Sequence, residues 1–366
     1  MRPKINYAGP WITETEVEAV RDAVLNGFYQ NYRVHVQRLE HAVCATLGVR
    51  HALATNSGTA ALHLAVATAG LGPGDEVITT DSSCVASAMP IAYCGATAVL
   101  VDVDPTTWTM SPAAVRAAIT ARTKAILVVH WNGHPCLMDE FTAIADEHRL
   151  VVLEDCAPAL GATYAGRPVG TFGRSAAFSF QGAKVAIGGQ GGLFVTDDDD
   201  VIRHARVLAA YGRTDSVRQY WSDELGYNYA MPNLPAALAL AQVGRLPDLL
   251  AKKRAIFAEY ERGLGDHPRV RLVRPAPRSE STCCYPALAI GLNARVGQAE
   301  LLRGLAAENI DARPAQPRIS GMPMFERRFP NPQSQLVEDR GVILPSAFNL
   351  TDDDVAFVCQ QIRALA

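Results

Sequence analysis

Lysine is scarce in this 366-residue chain: of 34 basic residues only five are lysine, at positions 4, 124, 184, 252 and 253. A lysine in an unusual setting therefore needs a reason. Charge of one sign is not in excess either. The 34 Lys plus Arg face 37 Asp plus Glu, a formal net charge of −3. That balance argues against a nucleic-acid partner, which a basic surplus would meet. The eight cysteines contain no C-x-x-C pair and sit mostly in apolar runs, where free Cys behaves as a small hydrophobe. Charged residues are missing from positions 82–101. Yet Ser82, Ser83, Ser87, Pro90, Gly95 and Thr97 make this stretch too polar and broken for a membrane span, and a buried helix followed by a strand fits it better. Residues 1–8 carry no apolar leader, so a cytoplasmic, reduced setting is expected. No G-x-G-x-x-G follows a strand, so the dinucleotide fingerprint is missing.

What is present is a large apolar fraction, 49%, on a chain long enough for about two domains. Apolar, β-branched runs at 76–80, 97–103, 124–130, 150–155, 176–180 and 193–196 read as buried strands. Helical patterns lie between them. Thr13 with Glu16 forms a capping box before a helix over 14–26, and Ser111-Pro112 opens another to about 121. Strand and helix alternate through the first two-thirds, which predicts an α/β domain with a mostly parallel sheet over residues 1–245. From about 233 long helical stretches and Pro- and Arg-rich segments take over, predicting a smaller α+β domain over 246–366.

The chemistry concentrates between Leu153 and Gly192. Lys184 follows a buried strand and precedes four glycines in five positions, Gly188, Gly189, Gly191 and Gly192. Desolvation there would make its amine a better nucleophile toward a carbonyl. Asp155 ends a strand, where open α/β sheets place ligand contacts, and it could pair with a cationic ring nitrogen or cap a turn. Ser57-Gly58-Thr59 opens an Ala/Leu-rich helix, as a phosphate site or as a plain N-cap. Lysine, carboxylate and phosphate turn together form the parts list for pyridoxal 5′-phosphate. His130 and His134 do not share a helical face, so no metal site is expected.

These motifs carry a resemblance. The chain resembles the DegT/DnrJ/EryC1/StrS family of sugar and cyclitol aminotransferases nearly end to end. The matching segments are Gly9-Pro10, Ser57-Gly58-Thr59-Ala60, Gly72-Pro73-Gly74-Asp75-Glu76-Val77-Ile78, Glu154-Asp155, Gly170-Thr171-Phe172-Gly173, Phe178-Ser179-Phe180-Gln181-Gly182-Ala183-Lys184 and Gly226-Tyr227-Asn228-Tyr229. The resemblance implies a fold-type I, pyridoxal phosphate-dependent transferase working as a homodimer. Lys184 would form the Schiff base, and Asp155 would bind the pyridine nitrogen. Ser57, Gly58, Thr59 and Ser179 would hold the phosphate, with Asn228 reaching the phosphate of the neighbouring subunit. The implied reaction moves an amino group from glutamate or glutamine to a ketone on a nucleotide sugar or cyclitol, in antibiotic or polysaccharide biosynthesis.

Three cofactor-side positions depart from the family pattern. Cys84 stands where an aromatic usually stacks on the ring. Pro158 replaces a Gln or His, and Gln190 replaces a Glu. Proline cannot hydrogen-bond through its side chain. These departures leave open a non-transaminating chemistry on the same cofactor, such as elimination, replacement or bond formation. Arg313, in a Pro-rich stretch, is a candidate for an anionic substrate group or a surface residue. Of the five lysines, Lys4 is terminal, Lys124 opens a strand, and Lys252 and Lys253 lie on an amphipathic helix, which leaves Lys184 as the candidate.

Overall fold

The computed structural model describes residues 2–214 and 218–366. The strands are β1 His51–Thr55, β2 Glu76–Thr80, β3 Thr97–Val101, β4 Thr123–Val129, β5 Val151–Asp155, β6 Thr163–Tyr164, β7 Arg167–Pro168, β8 Ser175–Ser179, β9 Gly192–Thr196, β10 Val270–Leu272, β11 Ser279–Glu280, β12 Ala287–Ile290, β13 Arg313–Pro314 and β14 Gly341–Ile343. The helices are α1 Glu14–Asn26, α2 Val34–Leu47, α3 Gly58–Thr68, α4 Met89–Tyr93, α5 Pro112–Ala118, α6 Met138–His148, α7 Asp199–Ala209, α8 Asn233–Gly244, α9 Leu246–Leu264, α10 Gln298–Ala307, α11 Pro332–Arg340 and α12 Asp352–Leu365.

Seven strands form the main sheet in the order β1-β9-β8-β5-β4-β2-β3. The pairings β2–β3, β2–β4, β4–β5 and β5–β8 are parallel. Only β9 runs against its neighbours, β8 and β1. The mostly parallel sheet predicted from the β-branched runs is therefore present. Its strands read as continuous apolar segments because helices cover both faces. Val77, Ile78, Ile126, Leu127, Val128 and Leu153 are fully buried. One face packs with α3 and α7, the other with α5 and α6.

Because β9 is reversed, the C-terminal ends of β1, β8, β5, β4 and β2 all open on one edge of the sheet. That edge, at the carboxyl ends of parallel strands, is where such folds bind ligands. The capping box at Thr13 and Glu16 is formed as predicted, and Ser111 caps α5, which stops at Ala118.

A second, four-stranded antiparallel sheet, β10-β12-β14-β13, is drawn from the later chain. Its core includes Leu272, Leu288, Leu301, Val342, Val358 and Ile362. Ile5 joins this core and pairs with Ile310. The edge strand β3 is not left open. Phe325 packs on one face of the main sheet and Phe329 on the other. The Asp81 carboxylate accepts from the Ser320 amide and hydroxyl and from Asn331 Nδ2, at 2.7, 2.7 and 2.9 Å. Such wrapping protects an edge from pairing with another chain. Among the described residues no helix is long and apolar enough to cross a membrane.

Candidate active site

Ser57 is the N-cap of α3, and its Oγ accepts the Ala60 amide at 3.1 Å. The Ala61 amide bonds the Ser57 carbonyl. That leaves the amides of Gly58 and Thr59 at the positive end of the helix for an anion. The Ser57 hydroxyl, an acceptor from Ala60, keeps its hydrogen to donate outward. Gly58 is needed for contact: a Cβ there would lie 2.9 Å from the Cβ of Ser179. The structure thus brings Ser57, Gly58, Thr59 and Ser179 together. Gly192 is just as constrained, since its Cβ would meet the Ser57 carbonyl oxygen at 2.3 Å.

Asp155 lies opposite Ala177 of β8, two residues before Ser179. It is 4% exposed. Its Oδ2 accepts from Ser87 Oγ at 2.7 Å and its Oδ1 from the Ala157 amide at 3.0 Å. Ser83 Oγ lies 3.0 Å from Ser87 Oγ. Ser87 gives its hydrogen to the carboxylate, so Ser83 is the donor to Ser87. An ionised carboxylate has about four acceptor sites. Two are used, and the others remain for a cationic N–H.

The neighbouring acid behaves differently. Glu154, wholly buried, accepts from the amides of Gly170, Phe172 and Gly173 at 2.8, 2.8 and 2.7 Å and from His130 Nε2 at 3.1 Å. The Cys136 amide donates to His130 Nδ1, so the ring hydrogen sits on Nε2. His130, Glu154 and Cys156 offer ligand atoms within 4.8 Å of one another. The carboxylate is nevertheless saturated by its four donors, so this cluster is a structural knot. The Gly170-Thr171-Phe172-Gly173 motif is its cradle.

Lys184 lies in a loop that folds back on itself. The Gly182 amide bonds the Gly189 carbonyl, the Gly188 amide the Phe180 carbonyl, and the Lys184 amide the Gln181 carbonyl. Gly191 adopts φ +138°, and a Cβ there would meet Met231 Cε at 2.4 Å. Lys184 is half-buried. Its Nζ stands 5.5 Å from the centre of the Tyr285 ring, and among the described residues no hydrogen bond or ion pair holds it. The Tyr285 hydroxyl donates to the Ala183 carbonyl at 2.8 Å.

The remaining candidates fall as follows. Cys84 is exposed and sits between Ser83 and the short turn that carries Ser87. Pro158 accepts, through its carbonyl, a hydrogen bond from Thr282 Oγ1. Gln190 is exposed between Gly189 and Gly191. Asn228 is exposed, and its carbonyl accepts from Asn56 Nδ2 at 2.9 Å, which ties it beside the Ser57 turn of its own chain. Arg313 stacks over Tyr7 at 4.5 Å and pairs with Asp311 at 3.3 Å.

Three residues with roles here went unread in the sequence. Ser87 and Tyr285 have no local signature; both meet the site through the fold. Lys253 did have one. It lies on the apolar stripe of α9 with Leu246, Leu249, Ile256, Phe257, Tyr260 and Leu264, and it is 1% exposed. Burial pushes its pKa down to about 8. It is more deeply buried than Lys184, so burial alone does not single out a reactive lysine.

The donor set suits pyridoxal phosphate: two helix amides and two hydroxyls for a dianion, a half-satisfied carboxylate, and an amine without a partner. The sequence profile of the DegT/DnrJ/EryC1/StrS aminotransferase family matches residues 10–363. The chain belongs to this family. It is 36% identical over 357 residues to GDP-perosamine synthase of Caulobacter vibrioides, covering 96% of each chain. The same enzyme from Escherichia coli O157:H7 is 35% identical, over 97% of this chain and 96% of the other. Among solved structures, DesI in the presence of its TDP-sugar product superposes with a TM-score of 0.90 at 29% identity, covering 100% of this chain and 93% of that one. 3-Amino-5-hydroxybenzoic acid synthase superposes at 0.92 and 26%, over 100% and 99%. A sugar aminotransferase from Streptococcus pneumoniae in its PLP form gives 0.90 at 25%, over 99% and 98%. The DegT/DnrJ/EryC1/StrS protein is thus a pyridoxal phosphate-dependent aminotransferase.

Proposed function

We propose that this aminotransferase moves an amino group from glutamate or glutamine to a ketone on a nucleoside-diphosphate sugar. The observation that carries the reading is the Lys184 amine, held by its loop yet without a hydrogen-bond or ion-pair partner among the described residues, on the edge that also presents Asp155, Ser57 and Ser179. The relatives named for GDP- and TDP-sugars support the acceptor class.

Pyridoxal phosphate, when bound, supplies an electrophilic carbonyl and a sink for electrons. The chain's residues supply the rest. The amides of Gly58 and Thr59 and the hydroxyls of Ser57 and Ser179 hold the phosphate. Asp155, oriented by Ser87 and Ala157, accepts from the ring N–H and keeps the nitrogen protonated, since an opposite charge this close favours the charged form. Lys184 would take the proton from the donor Cα at its Nζ and deliver it to C4′ of the cofactor, across the nitrogen from that Cα.

We also place the enzyme in the cytoplasm as a homodimer with Asn228 serving the neighbouring site. All eight cysteines are free. Val24, Leu25, Phe28, Tyr29 and Tyr32 are exposed at the end of α1 and just beyond it. A patch of that kind marks an interface, and a second copy is the natural cover.

The test is spectroscopic. Glutamate, then a nucleoside-diphosphate keto sugar, is added to the cofactor-loaded enzyme while the visible cofactor band is followed. Loss of the band with the donor and its return with the acceptor, with an amino sugar as product, is the expected result. A band unmoved by any of several amino donors would overturn the reading. Lys184→Ala should lose about 10²–10⁴ in rate, the range for a positioned proton-transfer group.

A further inference from the structure

Lys253 is the most deeply buried of the lysines, yet among the described residues no carboxylate pairs with it. Its Nζ points at three oxygens: the Ser346 carbonyl at 2.5 Å, the Ser346 hydroxyl at 3.2 Å and the Cys284 carbonyl at 3.4 Å. An ammonium has three N–H donors, so this one is fully used. The fourth side is closed by the Phe348 ring at 4.6 Å. Burying a cation costs free energy that met donors only partly offset.

What depends on it is reached in one further step. The Ser346 hydroxyl donates to the Cys284 carbonyl at 2.9 Å, and the Ser346 amide donates to the Tyr7 carbonyl at 2.8 Å. Lys253 and Ser346 thereby tie three stretches of chain together: residues 7, 284 and 346. The next residue after Cys284 is Tyr285. Its ring stacks on Tyr7 at 5.3 Å with an interplanar angle of 7°. Its carbonyl accepts from Asn132 Nδ2 at 3.1 Å. Its hydroxyl holds the carbonyl of Ala183, and its ring lies under the Lys184 amine. The Lys184 loop is otherwise closed mostly on its own backbone. Tyr285 is a contact that fixes this loop, at the residue before the lysine, from outside the main sheet.

We propose that Lys253 is a positioning residue for Lys184, acting through Tyr285. The buried ammonium sets the backbone at Cys284 and, through Ser346, the Tyr7 ring on which Tyr285 rests. Tyr285 in turn holds the Ala183 carbonyl and places the Lys184 amine. The proposal rests on Lys184 being the cofactor lysine.

The test measures how fast added pyridoxal phosphate becomes attached to Lys184 in the presence of cyanoborohydride, which spares the free aldehyde, read by peptide mass on the full-length apoprotein. Tyr285→Phe keeps the ring and removes the bond to Ala183. Its trapping rate should fall about fivefold, the effect of one neutral hydrogen bond. Lys253→Met should fall by a similar factor. The decisive readout is the pair. If Lys253 acts through Tyr285, the double variant Lys253→Met/Tyr285→Phe is no slower than the slower single variant, because contacts in one network are not additive. Ser346→Ala, which loses only the hydroxyl link, takes the place of Lys253→Met if that variant does not fold.

Rates equal to wild type in folded single variants would overturn the proposal. So would effects that multiply in the double variant, which is the pattern of independent structural losses. If wild-type protein is trapped at lysines other than Lys184, the site assignment falls and the proposal with it. Trapping at Lys184 in wild type with unaffected variants overturns the positioning role alone.

Discussion

The two sides of β5 carry adjacent acids with opposite fates. Behind the strand, Glu154 sits among three amides and an imidazole and has no acceptor site left. In front of it, Asp155 accepts only from Ser87 and Ala157. Both are buried and both are charged side chains in a low-dielectric place, where unmet hydrogen bonds are costly. The difference is one of saturation. A saturated carboxylate spends its charge on holding backbone in place. An under-saturated one at the carboxyl ends of parallel strands keeps acceptor sites open, which is what the role proposed for Asp155 requires. Burial, the property a sequence can hint at, does not separate them.

Exchanging the charge on each side breaks the comparison in different ways. Asp155→Asn should lose about 10²–10³ in turnover, the scale of removing a preorganised electrostatic partner. Its melting temperature should move little, because an amide still satisfies Ser87 and Ala157 in part. Glu154→Gln should do the reverse. It sets an NH2 group against backbone donors and costs about 3 kcal/mol of stability, the scale of breaking a buried charged network. Activity measured per folded molecule should stay within about fivefold of wild type. Thermal unfolding and turnover on the same preparations check both. A stable, active Glu154→Gln protein would erase the distinction drawn between the two acids.

Ser87→Ala sharpens the comparison by making Asp155 less saturated still. The loss of one hydrogen bond, worth about 1 kcal/mol, should weaken cofactor binding about fivefold. Equilibrium titration of apoprotein with pyridoxal phosphate measures it. Unchanged binding would mean that Ser87 does not orient the carboxylate.

How much of this was legible beforehand follows from what each element depends on. The strands at 76–80 and 150–155 appear within a residue of the reading, because strands buried on both faces must be apolar throughout. β1 is not among the strands read from the sequence, since its alanines favour no strand. The reversal of β9 has no composition signal at all; it follows from the loop over 180–191, which folds back on itself. Among the candidates, Lys184, Asp155 and Ser57 announced themselves through their local company, and Ser179 only through the family resemblance. Ser87 and Tyr285 did not, because each meets the site through contacts 68 and 102 residues away in sequence. Lys253 reads only as part of an amphipathic helix, which α9 is, although its spacing from Leu249 and Ile256 already puts it on the buried stripe.

Acid should act on saturated carboxylates throughout the molecule, and Glu76 provides the cleanest case. It lies at the opposite edge of the sheet from the site, 1% exposed. Burial alone would raise its pKa, but hydrogen bonds from Thr120, Arg328 and Arg122 outweigh burial and hold it at about 2. The folded value is below the ordinary carboxylate value of 4.5. Its stabilisation is therefore complete above pH 4.5 and drains away as pH falls from 4.5 toward 2. His134 adds a loss of its own, because burial holds its pKa at about 4 and the unfolded chain takes up protons below 6.5 first. That second loss is common to wild type and a Glu76→Gln variant, so comparing the two cancels it. At pH 6 the variant should be less stable by about 1–3 kcal/mol, the cost of uncoupling a buried charged hydrogen-bonding group. On going to pH 3.5 wild type should lose more stability than the variant, and the two urea midpoints should converge. Midpoints that fall in parallel would show that the three partners of Glu76 hold it as a neutral group as well as they hold its carboxylate.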